Sequence, residues 1–209
     1  MKKFFYATNN PGKIFEVSKH LNTKGIKVIS PKDLNIHLDV SETGSTLEEN
    51  AKLKALAYIK LVKKMPIIAD DTGIEIDALR GEPGIHVRRW KDGKTSMTDQ
   101  EIINYCLELM KNIPKEDRTA RFRTVIAIAF PGHEPMLVEG ALKGVILESA
   151  SKEKMEGFPF ESLFFIPEYK MALWQLHRLD GKRKEKYLTH REKAIQNALP
   201  EILQVVKQS

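Results

Sequence analysis

Two neighbouring carboxylates, Asp70 and Asp71, follow a short apolar run and precede Thr72 and Gly73. Acids at the end of a strand in an α/β sheet are favoured positions for ligands and metals. Their hard oxygen atoms suit Mg²⁺, which takes one or two carboxylates and completes its shell with water and phosphate oxygens. Adjacent strand residues point to opposite faces, so both acids reach one ion only if the chain turns there, as Thr72-Gly73 would permit. A further acid, Glu42, sits in the polar stretch Ser41-Glu42-Thr43-Gly44, ahead of a helix carrying Asn50, Lys52 and Lys54. Alone, such a residue is an ordinary surface acid. Thr8-Asn9-Asn10-Pro11-Gly12-Lys13 lies between a strand and a helix, where backbone N–H groups and the helix dipole attract phosphate. Gly12 allows close backbone approach and Lys13 adds a point charge, although the spacing of a Walker A loop is absent. Leu188-Thr189-His190-Arg191 opens the final helix and offers several donors to a base or phosphate edge. The other five histidines show no metal-ligand spacing.

The elements that must position these groups follow from hydrophobic period and punctuation. Residues 4–8 read as a buried strand, 13–24 as a helix and 26–30 as a second strand ended by Pro31. Thr46 with Glu49 has the form of a capping box opening a helix to about residue 64. Residues 66–70 and 73–78 read as two short strands, 98–112 as an amphipathic helix, and 120–130 with 136–145 as an antiparallel pair. Residues 160–165 are expected to form a last strand, and 189–207 a closing helix with a kink or break at Pro200. Strands and helices alternate early and strands cluster later. That order predicts a three-layer α/β protein with a mixed sheet.

At 209 residues, with 42% hydrophobic and 30% charged residues, the chain can bury a substantial core without staples. No linker separates one part from another, so residues 1–209 are read as a single domain. Cys106, the one cysteine, lies on the apolar face of its helix with Ile102 and Leu109, which predicts a buried thiol. The apolar run after Met1-Lys2-Lys3 is too short for a signal peptide, and no stretch approaches the roughly 18 apolar residues of a membrane helix. A cytoplasmic setting without a membrane partner is the expectation. The net charge of +6 favours anionic partners. Aromatics interleaved with basic residues, as RNA binding would require, are absent, and nothing bears on association with a polymerase.

Taken in order, the four chemical segments resemble the inosine triphosphate pyrophosphatase family, which removes deaminated purine nucleotides. The resemblance is carried by ATNNPGK, SETGSTLEENAKLKA, ADDTGIEIDALRGEPGI, ARFRTVIAIAF, GALKGVI, GFPFE and THREKAIQNAL. It implies an elongated α/β fold with two lobes flanking a nucleotide cleft, a homodimer, and Mg²⁺, with Mn²⁺ as a substitute. The implied reaction is attack at the α-phosphorus of a purine nucleoside triphosphate, giving the monophosphate and pyrophosphate. Carried over by position, Thr8, Asn10 and Lys13 would hold the phosphates, assisted by Lys54 and Thr72. Glu42 and Asp71 would hold the metal, with Asp70 beside them and Asp71 as base or water-orienting group. Phe158 would stack on the base, and His190 with Arg191 would read its edge.

The C-terminal half departs from the family pattern. Gly-Phe-Gly-Tyr-Asp becomes Gly157-Phe158-Pro159-Phe160-Glu161, keeping the acid on a longer arm. A lysine expected five residues before His190 is Glu185, flanked by Lys184 and Lys186, and Val87-Arg88-Arg89 stands where Ser-Ala-Arg is usual. Two competing readings therefore stand beside the leading one. The same cleavage could act on altered bases, or the chain could bind nucleotide or RNA with weak catalysis.

Overall fold

The computed structural model describes residues 2–62, 65–153 and 155–208. In chain order its elements are β1 (Lys2–Tyr6), α1 (Pro11–Asn22), β2 (Ile26–Ile29), α2 (Leu47–Ile59), β3 (Ile67–Ile76), β4 (Pro83–Gly84), α3 (Asp99–Leu109), β5 (Thr119–Ala129), β6 (Met136–Ile146), β7 (Phe164–Ile166), β8 (Met171–Ala172), α4 (Leu173–His177), α5 (Gly181–Lys184) and α6 (His190–Gln208). Among the described residues eight strands form one mixed sheet in the order β2-β1-β3-β5-β6-β7-β8, with β4 on β3. The chain divides into two compact units. Unit 1 comprises Met1–Thr72, Thr124–Gly140 and His190–Ser209; unit 2 comprises Gly73–Arg123 and Ala141–Thr189.

Unit 1 starts as a β-α-β crossover. β1 pairs in parallel with β2 (Phe4 opposite Val28) and with β3 (Phe5 opposite Ile67), so the connecting helices must lie over the sheet. α1 begins where Asn10 Oδ1 accepts from the N–H groups of Gly12 and Lys13 and Pro11 fixes the first helical position. At α2, Thr46 Oγ1 accepts from Glu49 N–H, but Glu49 reaches back to Ser45 rather than to Thr46, so half of the expected box forms. Phe4, Tyr6, Val17, Leu21, Ile68, Ile126, Ile195 and Ile202 build one core. α6 comes down hard on β6 at Gly140, where a Cβ would stand 2.2 Å from Ala194 N and 2.4 Å from His190 O.

Unit 2 is organised around aromatic side chains. Trp90 lies 5.9 Å from Phe160, and Phe122 lies 4.9 Å from Phe164, within a core that includes Ile102, Met110 and Leu176. Cys106 is buried there as expected, and burial pushes its thiol pKa up to about 12. Thr98 and Glu101 form a complete capping box on α3. Arg118 is buried but satisfied, donating to the carbonyls of Ile146, Met110 and Leu147 at 2.6–2.8 Å.

Several elements differ from expectation. The two short strands around Asp70 are one ten-residue strand, because both faces of β3 are covered and the ladder gains more by continuing than by turning. α2 stops at Ile59; Lys64, to which it was expected to run, lies outside the described residues. α6 passes through Pro200 without breaking. The segment expected as a strand from residue 160 is a 3₁₀ turn, Pro159–Ser162, with β7 only after it. Among the described residues no helix is long and apolar enough to cross a membrane.

Candidate active site

Because β3 does not turn, Asp70 and Asp71 fall on opposite faces and acquire different surroundings. Asp70 is buried among donors. Tyr6 Oη donates to Oδ1 at 2.8 Å; Arg191 Nε (3.2 Å), Thr72 Oγ1 (3.4 Å) and the Lys13 ammonium (3.1 Å) converge on Oδ2. Burial opposes its ionisation, yet Lys13, Arg191 and Lys54 outweigh that, and its carboxyl sits far below the usual carboxylate range. The Lys13 pKa is lowered, first by burial, with Asp70 opposing. Arg191 donates also to Glu16 and to Thr72 Oγ1, the latter at 3.2 Å. Its guanidinium is thus engaged with acids and a hydroxyl of unit 1.

On the other face, Asp71 meets Asn50 Nδ2 at 3.2 Å and Lys54 Nζ at 3.4 Å. Burial raises its pKa, Lys54 opposing and Glu42 adding to the rise. Lys54 also pairs with Glu42 at 2.7 Å, and these acids hold its ammonium charged despite burial. The Lys54 nitrogen therefore marks a point where two carboxylates converge on one positive charge. Oxygen donors so disposed fit a hard divalent cation that takes two carboxylates and completes its shell with phosphate and water. Among the described residues no group of three or more His, Cys, Asp or Glu is placed to hold a metal. Asn50 Oδ1 accepts from Gly44 N–H at 2.9 Å, so one buried amide ties the Glu42 loop to Asp71.

The first loop is built differently from expectation. Its Gly12 and Lys13 N–H groups already donate to Asn10, whose own N–H donates to Thr8 Oγ1 at 3.2 Å. What it offers an anion is the dipole of α1 and the Lys13 side chain. His190 is buried, its Nδ1 2.6 Å from Thr124 Oγ1, which is in turn 2.8 Å from Thr72 Oγ1. A hydroxyl chain thus joins His190 to the residue beside Asp71.

The remaining sequence candidates lie in unit 2. Phe158 is half-buried, its ring edge-on to His177 at 6.2 Å. Glu161 is buried and bonded to His177 Nδ1 and to Met155 N–H. Of the basic run, Lys184 is buried with Nζ 2.9 Å from Tyr187 O, whereas Glu185 and Lys186 are exposed. The buried lysine is therefore one place earlier than Glu185.

Tyr6, Glu16, Thr124 and His177 are not singled out for the site by the sequence, and Asn50 is visible there only as a neighbour of Lys54. Glu16 carried a signal, three residues after Lys13 on one helix face. Tyr6 and Thr124 reach the site only through strand neighbours far along the chain.

These segments also match known proteins as a set. The Ham1 family model matches residues 4–201. The chain belongs to the Ham1 family. It is similar to the dITP/XTP pyrophosphatase of Bacillus subtilis, 38% identical over 195 residues, 93% of this chain and 94% of that protein. A dITP/XTP pyrophosphatase of Vibrio parahaemolyticus is 35% identical over 97% of each chain. Among solved structures, the Staphylococcus aureus Ham1 protein matches with a TM-score of 0.77 at 34% identity, covering 97% of this Ham1 chain and 98% of its own. A nucleoside-triphosphatase/dITP/XTP pyrophosphatase from Mycobacterium abscessus matches with a TM-score of 0.71 at 29% identity, covering 95% and 99%.

Proposed function

We propose that this Ham1 protein hydrolyses noncanonical purine nucleoside triphosphates, ITP, dITP and XTP, to the monophosphate and pyrophosphate, using Mg²⁺ or Mn²⁺ in its place. It would act as a cytoplasmic homodimer that keeps deaminated purines out of nucleic acid. The names of the relatives support the substrate class. One observation carries the chemistry: Glu42 and Asp71 converge on one cationic nitrogen, while Lys13 rests on the other face of β3 against an acid that has a second cation.

In this reading Glu42 and Asp71 hold the metal, which when bound neutralises phosphate charge and makes water more acidic. Lys54 leaves the two acids and turns to the phosphates. Lys13 moves from Asp70 to the triphosphate; Asp70 stays ionised because Arg191 and Tyr6 remain on it, and Glu16 balances Arg191. Moving a lysine off a buried acid normally leaves an uncompensated charge, and Arg191 removes that cost. Asp71, its pKa raised by burial, orients or deprotonates the attacking water at the α-phosphorus. Thr8 and Asn10 assist at the phosphates by holding the turn that starts α1 and carries Lys13, and Thr72 assists beside Asp71. Phe158, Glu161, Lys184 and Lys186 serve the base end, as does His190, while Arg191 stays on Asp70 and acts through it. A six-position oxygen would accept the donors facing it, whereas adenine's amino group would leave them unpaired.

Hydrolysis of ITP, XTP, dUTP, ATP and GTP with Mg²⁺, with pyrophosphate and orthophosphate assayed separately, tests the reading. Selective pyrophosphate release from ITP and XTP is expected. Release from all five would keep the catalytic centre and discard base selectivity. Orthophosphate alone would overturn the proposed bond cleavage.

A further inference from the structure

Glu161 is a buried acid on an arm one methylene longer than the family pattern, and a buried carboxylate is costly unless donors meet it. The structure supplies them from two directions. Met155 N–H donates to Oε2, closing the turn on itself, and His177 Nδ1 meets Oε1 from the last residue of α4. The backbone of the same turn is held independently. Gly157 N–H donates to Asp99 Oδ2 at 2.8 Å, Arg88 Nη2 donates to Gly157 O at 2.8 Å, and Arg88 pairs with Asp99 at 2.6 Å. Phe158 lies between these two anchorages, next to Gly157, and its ring lies edge-on to the His177 imidazole.

We propose that His177 is a specificity-determining positioning residue: by holding Glu161 and flanking Phe158, it fixes the turn that presents the base-stacking ring. The inference rests on the proposed function, which gives Phe158 its base. Glu161 is placed on its longer arm to reach α4, and the imidazole on α4 is the group that makes this reach productive. Removing Nδ1 leaves a buried carboxylate short of a donor. The turn then relaxes toward water and carries Phe158 with it, while the Glu42, Asp71 and Lys13 groups belong to unit 1 and are untouched.

The test compares His177→Phe, which keeps a ring against Phe158 but removes the donor, with His177→Asn, which returns an N–H near the position of Nδ1. Steady-state KM and kcat for ITP are measured alongside inhibition by inorganic tripolyphosphate, which reports phosphate binding without a base. His177→Phe is expected to raise KM for ITP about tenfold, the scale of losing one hydrogen bond to a buried charge, with kcat and tripolyphosphate inhibition little changed. His177→Asn is expected to recover most of that loss. Unaltered KM in His177→Phe, or weakening of tripolyphosphate to the same degree as ITP, overturns the inference. Should His177→Phe fail to fold, Glu161→Gln weakens the same contact at constant size, and an unchanged KM there is equally decisive. A parent chain inactive on ITP, dITP and XTP would overturn the proposed function and this inference together. An active parent with an unaffected His177→Phe overturns the inference alone.

Discussion

Asp70 and Asp71 are chemically identical and sequentially adjacent, yet their surroundings drive their acidities apart. The sign of each shift predicts opposite consequences for neutralising them. For Asp70, whose pKa is depressed, the ionised form stabilises the fold at neutral pH and that contribution is lost as pH falls. Asp70→Asn should therefore cost about 3 kcal/mol or more, since Lys13 and Arg191 lose their shared acid; urea unfolding at pH 7 measures it. For Asp71, whose pKa is raised by burial, the contribution is full below the ordinary carboxylate range and is lost as pH rises through the folded value. Asp71→Asn should keep or raise Tm while lowering kcat by about 10²-fold or more, the usual worth of a positioned base. A variant that melts early, or one that still turns over, would remove Asp71 from its proposed role. Of this contrast, the sequence made the two acids visible and the resemblance set Asp71 apart from Asp70, but their opposite acidities depend on what surrounds each on its own face of β3.

At the scale of elements, the start of α6 is fixed by what lies under it. Gly140 on β6 has no Cβ, which lets the backbone of His190 and Ala194 approach directly. In Gly140→Ala the new atom meets backbone, which cannot rotate away, so the helix must lift. The expected loss is about 1–3 kcal/mol, with a fall in kcat because His190 and Arg191 move with the helix. Wild-type Tm and activity in Gly140→Ala would show that α6 is not seated as described. Pro200 teaches the converse. Its local rule called for a kink or break, but the packing of Ala198, Ile202 and Val205 in the unit 1 core carries the helix through.

For the molecule as a whole, the depressed acids set the response to low pH. Asp33, Glu49, Asp92 and Glu101 are held down by nearby backbone and hydroxyl donors, Asp92 to about 2, and Asp70 lies lower still. Groups with depressed folded values stabilise fully above the ordinary carboxylate range and lose that contribution as pH falls through the folded values. Tm should thus decline from about pH 4 downward, where carboxylates of the unfolded chain take up protons first. The net charge of +6 grows as the acids are protonated and adds self-repulsion. A melting temperature that stays flat from pH 5 to pH 2 would contradict this assignment of the carboxylates.

Local chemistry was sufficient for much of this. Hydrophobic period, caps and Gly/Pro punctuation determined the order of elements from β1 to α2, the places of α3, β5, β6 and α6, the α/β class, the buried Cys106 and the segments bearing Lys13, Glu42, Asp70, Asp71 and His190, because each signal acts over a few residues; the short elements β4, β8, α4 and α5 carried no such signal. Tertiary structure alone decided that β3 runs straight through the acids, that Lys54 gathers Glu42 and Asp71, that Arg191 turns to Asp70 and Glu16, and that His177 meets Glu161. Those pairings join residues that are up to 175 positions apart. Their partners are chosen by sheet order and burial, which make an unpaired charge costly, and no short window of sequence contains either side of that choice.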